Sequence, residues 1–379
     1  MKQSVLAILI FLLSLSLFAQ SQDVWLRYYD STTELFGYKD LKGNIKIPAK
    51  FEGFTRADSF YNIIAVHEKS DSTYKAYYLL KNGRRVGKDS VFMSDFTFDC
   101  ESEGKIIFYD RKTDRVGFFD KNGVAIIPAI YNYVSSFRNG LAIAHRNAKR
   151  KCWEGDDTTN CEHLGWEGGE SILINDKHEI LADKISVSLS NLDWYSKKEN
   201  ASSVDTSIYV NIKGRNNITY SFVDYDKEFN KWFKHFFLPS LNNESTIPDI
   251  LFSEITFWSY EKGWSSLKSN DFLKAFPGTL TPARFDTNKL KQMWIRQDHL
   301  NEFIYEKDMY KKYLNACGDH NSDRFPLYDI VITYYKKREK PNEYSLSEFF
   351  RDYDTDYQEL FEFLRTEQGY RLLSVSLKK

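Results

Sequence analysis

The stretch Val116-Gly117-Phe118-Phe119-Asp120-Lys121-Asn122-Gly123-Val124-Ala125-Ile126-Ile127-Pro128 decides how the first half of this chain is read. Aromatic and β-branched residues flank Asn122-Gly123, a dipeptide suited to a tight turn with positive φ, so the stretch predicts a β-hairpin. The pattern stands earlier as Phe36-Gly37-Tyr38-Lys39-Asp40-Leu41-Lys42-Gly43-Asn44-Ile45-Lys46-Ile47-Pro48, and in shorter form as Ala76-Tyr77-Tyr78-Leu79-Leu80-Lys81-Asn82-Gly83-Arg84-Arg85-Val86. Gly43, Gly83 and Gly123 follow one another at intervals of 40 residues, which makes the hairpin a repeating unit. Pro48 and Pro128 are expected to end the second strand, because proline has no N–H for the ladder.

The likeness continues downstream. Phe51 and Tyr131 hold equivalent places, Ser59-Phe60 matches Ser136-Phe137, and Ile64-Ala65-Val66 matches Leu141-Ala142-Ile143, which reads as a third strand of the unit. A fainter fourth copy runs from Ile172 to Leu181, with His178 where the other copies have glycine. Its offset is explained by an inserted polar loop between Cys152 and Cys161. Isolated hairpins are marginal in water, so neighbouring copies are expected to stack and bury their aromatic residues.

These units resemble the WG-repeat family. A unit of that family reads roughly as Trp or another aromatic, Gly, an aromatic, an acidic or amide residue, a turn glycine and an Ile-Pro ending, then a closing Phe-x-x-Gly-Leu-Ala. Gly37-Tyr38 and Gly117-Phe118 occupy the glycine–aromatic position, and Phe137-Arg138-Asn139-Gly140-Leu141-Ala142 matches the closing strand. The namesake tryptophan is Phe36 in one copy and Val116 in another, and the middle copy lacks both the glycine and the proline. The resemblance spans residues 34–182 at most. It implies a β-rich interaction module and brings no catalytic residues with it.

The composition bounds the rest. The chain has 379 residues, 42% hydrophobic and 28% charged, which excludes a disordered chain and a polytopic membrane protein. Its net charge of -1 lacks the clustered excess of cations that phosphate binding needs, so nucleic acid is not expected as a partner. Lys2 followed by an apolar run from Val5 to Phe18 and then Ala19-Gln20-Ser21 reads as a secretory signal, cleaved near Ala19 and Ser21. The run is too short to span a bilayer comfortably, so no stable membrane span is expected after its removal. Export, to a periplasm, the cell surface or the medium, puts the cysteines in an oxidising compartment. There a local pair such as Cys152 and Cys161 favours a disulfide. The alternatives are free thiols and a metal site, the latter with His163, Asp156 and Asp157 close by but without the second ligand pair of a structural zinc site. Nothing in the sequence shows whether Cys100 and Cys317 meet.

After residue 186 the repeat stops, and Ser196 to Ser207 reads as a linker. A helix follows, capped by Asp224 or Asp226, with Phe229, Trp232, Phe233, Phe236 and Phe237 on one stripe and Pro239 closing it. Strands are expected over 328–335, 360–364 and 370–377, the last two as a hairpin. The expected fold class is therefore a β-rich N-terminal repeat domain of stacked antiparallel hairpins plus an α+β C-terminal domain. The boundaries are 1–21 for the signal, 22–186 for the repeats (copies near 34–67, 74–108, 114–145 and 164–190) and 208–379 for the C-terminal domain. The last is compatible in pattern with an NTF2-like cone.

No phosphate loop, Gly-x-Ser-x-Gly or His-Glu-x-x-His pattern occurs, so no catalytic residue, metal ligand or cofactor is assigned. Asp319-His320-Asn321-Ser322-Asp323 lacks the spacing of a calcium loop and reads as solvated. Two basic runs, Arg146 to Lys151 and Lys336 to Lys340, read as loop or edge guards, and Asp352, Asp354 and Asp356 as a turn. The leading expectation is a non-enzymatic binding module for a protein, peptide or glycan. The alternatives are a small-ligand or hydrolytic C-terminal domain, in which His235, His299 and the Asp352 group converge on a pocket, and a structural envelope protein.

Overall fold

The structure is a computed structural model of the chain. It describes residues 23–377 apart from 69–74, 95, 156–160, 187–188, 190, 201–204, 260–262 and 346. Ala19 and Ser21, the expected cleavage site, lie outside the described residues. Among the described residues no helix is long and apolar enough to cross a membrane. The chain divides into two compact units: Met1–Lys184 with Ala316–Gly318, and Ile185–Asn315 with Asp319–Lys379.

The first unit is built from four antiparallel strand triplets. They are β1 (Trp25–Asp30), β2 (Leu35–Asp40) and β3 (Ile45–Phe51), with the two-residue β4 (Ser59–Phe60) beside β1; β5 (Ile63–Glu68), β6 (Lys75–Leu80) and β7 (Arg85–Val86); then, after the small pair β8 (Met93–Ser94) and β9 (Thr97–Phe98), β10 (Lys105–Asp110), β11 (Arg115–Asp120) and β12 (Ala125–Tyr131); and finally, past β13 (Tyr133–Val134), β14 (Leu141–Cys152), β15 (Leu164–Asn175) and β16 (Ile180–Ala182). The segment Ile64-Ala65-Val66, expected to close the first unit, instead opens the next triplet, with Ala65 opposite Tyr78. Its tie back to β3 is the single pair Phe51↔Glu68. Each sheet is thus made from the end of one sequence repeat and the start of the next.

The alternation of each strand places its two residue sets in two different cores. Ile64, Val66, Tyr77 and Leu79 pack with Tyr38, Phe51 and Phe60 of the first triplet. Ile63, Ala65, Tyr78 and Leu80 pack with Ile106 and Phe108 of the third. Ile107, Val116 and Phe118 then meet Ala142, Ala144, Ile172 and Ile174 of the fourth. The inner triplets are buried on both faces, which is why their strands read as nearly continuous apolar runs.

The turn between the second and third strand of each triplet has the same construction four times. The N–H of Gly43, Gly83, Gly123 and His178 donates to the carbonyl of Asp40, Leu80, Asp120 and Asn175 respectively. Only these third loop residues take positive φ (87°, 83°, 67° and 62°), while Asn82 and Asn122 do not. The loop therefore has three residues and a left-handed last position, in place of a two-residue Asn-Gly turn. Asp40 and Asp120 hold it with a carboxylate oxygen that accepts two backbone N–H groups, from Lys42 and Asn44 and from Asn122 and Val124. Asn175 does the same through its amide oxygen, which makes the fourth copy a structural repeat without the glycine.

Gly37 and Gly117 serve a different need. The third strand bulges at the proline: Phe36 pairs with Phe51 but Tyr38 with Ile47, and Val116 with Tyr131 but Phe118 with Ile127. The bulge pushes backbone against the glycine. A Cβ at position 37 would lie 2.6 Å from the Ile47 carbonyl oxygen, and one at 117 would lie 2.4 Å from that of Ile127. Pro48 and Pro128 therefore do not end the strand; they sit inside it, where the ladder is already interrupted and no donor is missed. In the middle copy the third strand stops at Val86, so nothing crowds the equivalent position and a buried tyrosine, Tyr77, fills it. Glycine and proline are lost together because they serve one contact.

In the second unit, β17 (Leu192–Glu199), β18 (Tyr209–Lys213) and β19 (Thr219–Asp224) form a small antiparallel sheet. Ser196 to Glu199, expected in a linker, are thus strand, paired through Lys198↔Ser221. The helix Tyr225–Trp232 follows, with the Asp224 carboxylate accepting the Lys227 N–H at its start. A π turn over Phe233–Phe237 and a short helical piece over Leu238–Ser240 continue it, so Pro239 lies within the last turn. Phe229, Phe233 and Phe237 are fully buried, while the wider π winding leaves Phe236 45% exposed. β20 (Leu251–Ser259), β21 (Gly263–Lys268), β22 (Lys291–Asp298), β23 (Leu327–Lys337), β24 (Tyr353–Thr366) and β25 (Gly369–Ser376) form one six-stranded sheet in the order β21-β20-β25-β24-β23-β22. All its pairs are antiparallel except β20 with β25. The aromatic helix packs on one face, with Phe229 stacked on Tyr328 at 4.4 Å and Phe237 edge-on to Phe363.

Candidate functional site

The loop after β3 begins with Glu52, whose N–H donates to the His67 carbonyl, and is anchored by buried Thr55. The Thr55 hydroxyl accepts the His67 N–H at 2.9 Å. This double tie to the end of β5 holds Phe54 outward, 41% exposed, between two clefts of about 550 Å³ each. One is lined by Glu34, Leu35 and Phe96, the other by His67, Met93, Phe98 and Arg111, and Glu52 and Phe54 border both. Phe54 meets the His67 ring edge-on at 5.3 Å and lies 6.0 Å from Phe98. His67 Nδ1 is 2.8 Å from the Glu52 carboxylate. Phe96 at 79% and Met93 at 51% exposed extend the apolar surface. A rigid aromatic anchor flanked by apolar walls and by Glu34, Glu52 and Asp89 can take an extended chain bearing an apolar side chain and a cation.

A second constellation crosses the six-stranded sheet. Ser266, Thr256, Ser374, Glu362, Asp329 and Arg296 stand opposite one another on successive strands, one polar residue from each. Asp329 is fully buried, receives Arg296 at 2.9 Å on one oxygen and stands beside the Asp298 carboxylate. Glu362 accepts the Ser374 hydroxyl. The buried hydroxyls of Tyr305 and Tyr310 approach the same row at Thr256, and that of Tyr305 also at Ser374. Burial, reinforced by the neighbouring acids, pushes Glu362 up to about 8 and Asp329 up to about 7. Burial thus favours the protonated forms of both acids around neutral pH.

The cysteines pair as Cys152–Cys161 and Cys100–Cys317, the second across a sequence separation of 217. The first pair lies at the end of the long β14–β15 hairpin, and Glu154 stands over it with one carboxylate oxygen 3.9 Å and 4.0 Å from the two sulfurs. The sulfurs and that carboxylate are the one group of potential metal ligands that converges among the described residues.

The remaining residues singled out in the sequence take structural places. Gly37, Gly117, Pro48 and Pro128 shape the bulges, and Tyr38 and Phe118 fill the cores. Asn139 and Gly140, both at positive φ, turn the chain into β14 and donate their N–H groups to Glu103. His235 is exposed on the π turn, His299 packs edge-on against His320, and Asp352 pairs with Arg351. The segment expected as a solvated loop buries His320, whose Nε2 bonds the Phe325 carbonyl at 2.6 Å; burial holds its pKa down at about 4. In place of the expected turn, Asp352 ends a short helix over Glu348–Asp352 and Asp354 and Asp356 lie at the start of β24, where the basic run opposite neutralises them: Asp354 pairs with Arg338 and Asp356 with Lys336. The other basic run lies on β14, where Arg146 meets Glu170 and Asp183, and Arg150 meets Asp114 and caps the Trp166 ring at 3.9 Å.

No curated protein and no solved structure matches the chain. The family model of the WG containing repeat matches residues 36–62 and 117–149. Those segments hold the two copies in which glycine and proline occur together, so these two copies match the WG containing repeat, and the other two triplets continue the same architecture without that signature.

Proposed function

We propose that this is an exported binding protein whose repeat unit captures an extended segment of another protein in the double cleft at Phe54. The observation that carries the reading is Phe54 itself, a large apolar ring held half-exposed by a loop tied at both ends, with exposed Phe96 and Met93 beside it. The acids around the cleft favour a segment with a basic residue next to an aromatic or aliphatic one. Panning a random peptide library against the full mature chain tests this. Enrichment of aromatic–basic peptides that is lost with Phe54→Ala plus Phe96→Ala is expected; enrichment unchanged in that variant refutes the site. Export is supported by the signal-like N-terminus and by both cysteine pairs being disulfide-bonded. A fusion to a reporter active only outside the cytoplasm should be active, and activity confined to the cytoplasm would overturn it.

A second reading is favoured by the polar row: a small polar-ligand or proton-transfer site in the second unit. It requires Glu362→Gln to change ligand binding without touching peptide capture. Equal loss of both in that variant would refute a separate site.

A further inference from the structure

We propose that the Cys152–Cys161 hairpin end is a redox-gated zinc site, closed by the disulfide when oxidised and by Zn²⁺ on Cys152, Cys161 and Glu154 when reduced. Three observations converge on it. The two sulfurs and a Glu154 oxygen lie within 4.8 Å of one another. The Sγ–Oε2 separations of 3.9 Å and 4.0 Å are close to the roughly 3.5 Å that tetrahedral zinc imposes between a sulfur and an oxygen ligand. Third, the carboxylate is held in place from outside the cysteine pair: His163 Nδ1 bonds its other oxygen, and the Glu162 N–H donates to the oxygen facing the sulfurs at 3.3 Å. That is how an outer partner orients a metal-ligating carboxylate.

The platform beneath is ordered. Cys152 stands opposite Leu164 on the paired strands, and the Trp153 N–H donates to the His163 carbonyl. Glu154 at 46% and His163 at 72% side-chain exposure leave a path for the ion and a fourth position for water. A thiol reductant supplies two electrons and two protons to the S–S bond, giving two thiols and the reductant's own disulfide. Zinc binding then releases those two protons to solvent as the thiolates form. Disulfide and metal are alternative closures of one loop, so each excludes the other.

The test is zinc stoichiometry on the full mature chain, with and without a phosphine reductant, which takes up oxygen from water as the disulfide becomes two thiols. Cys100→Ser plus Cys317→Ser removes the other thiols and isolates this pair. One zinc per reduced chain is expected, none per oxidised chain, and none in reduced Cys152→Ser plus Cys161→Ser. Cobalt(II) added to the reduced chain should show a thiolate charge-transfer band that Glu154→Gln shifts or abolishes. His163→Ala should weaken zinc binding by about 10–100-fold while leaving the band in place at saturation. Zinc on the oxidised chain, or none on the reduced one, overturns the proposal. Should the Cys100/Cys317 variant fail to fold, the cobalt band of the reduced wild-type chain compared with the Cys152/Cys161 variant decides instead: a band in both overturns it.

Discussion

In the first unit Tyr28 lies opposite Gly37 and Ala65 opposite Tyr78, partners 9 and 13 residues apart along the chain. In the second unit Thr256 lies opposite Ser374, and Asp329 opposite Glu362. The two units solve burial differently. The first stacks local triplets whose tightest constraints are geometric, a crowded glycine and a left-handed turn, alongside the partly buried Asp99 and the buried Glu101. The second brings distant strands together and buries a row of hydroxyls and carboxyls across them, so its weak points are electrostatic. Substitutions of backbone shape should damage the first unit at any pH, whereas the second should show the larger dependence on pH, with Asp99, raised by burial to about 6, adding a smaller one in the first.

The largest effect should come from Cys100→Ser plus Cys317→Ser. The bond closes a loop with a sequence separation of 217, for which chain entropy gives about 5 kcal/mol, against about 3 kcal/mol for the loop at Cys152–Cys161. Denaturant unfolding followed by a probe in the first unit measures it, and equal losses for the two pairs would blunt the contrast. Next comes Tyr77→Gly, which writes the family glycine into the copy that lacks its proline. The unit should lose about 3–5 kcal/mol, because a packed ring is removed and no bulge is there to need the space. Gly117→Ala should cost about 3 kcal/mol through the clash with the Ile127 carbonyl, while Gly83→Ala, with open space around it, should cost about 1–2 kcal/mol for its left-handed φ alone. A reversed order would show that turn strain, not strand approach, governs the repeats.

The effect of pH should be larger in the second unit than in the first. Glu362 and Asp329 are raised from ordinary values of 4.5 and 3.8 to about 8 and about 7, so the fold favours their protonated forms. The stability this gives is complete below the ordinary carboxylate range and lost as pH rises through about 7 and 8. His320 works from the other side: lowered from 6.5 to about 4, it contributes stability that is present above 6.5 and lost as pH falls through 4. The two acids outweigh the one histidine, so thermal unfolding should show the second unit weakening as pH rises toward 8, with His320 making the slope shallower below 6.5, and Glu362→Gln should flatten the alkaline limb. An unchanged alkaline limb in that variant would remove the electrostatic half of the comparison.

The same contrast explains what could be read in advance. The first and third hairpins were legible because each is specified within about fifteen residues by an aspartate, a turn glycine and apolar positions on either side. The bulge was not, since proline looks like a terminator until the glycine opposite is seen to make room for it. Ownership of the Ile64-Ala65-Val66 strand was also hidden, because spacing alone does not say which neighbour a strand joins. Of the candidate sites, the Cys152–Cys161 pair stood out by proximity. The polar row could not, since it takes one residue from each of six strands and only their register makes them a set. Phe54 was passed over for a similar reason: an aromatic in a repeat reads as core, and only its anchored loop turns it outward.

Ala316–Gly318 carry a consequence for biogenesis. These three residues belong to the first unit, yet they are encoded more than 130 positions after the rest of it. The first unit therefore cannot be finished until synthesis has passed residue 318, and a fragment cut at residue 186 would leave Cys100 unpaired. The cysteines emerge in the order 100, 152, 161, 317, while the native bonds are nested, the short loop inside the long one. An oxidant that joins thiols as they appear would link Cys100 to Cys152. Reaching the native pairing from there takes a disulfide-shuffling catalyst, so the yield of this protein should depend on an isomerase more than on oxidising power.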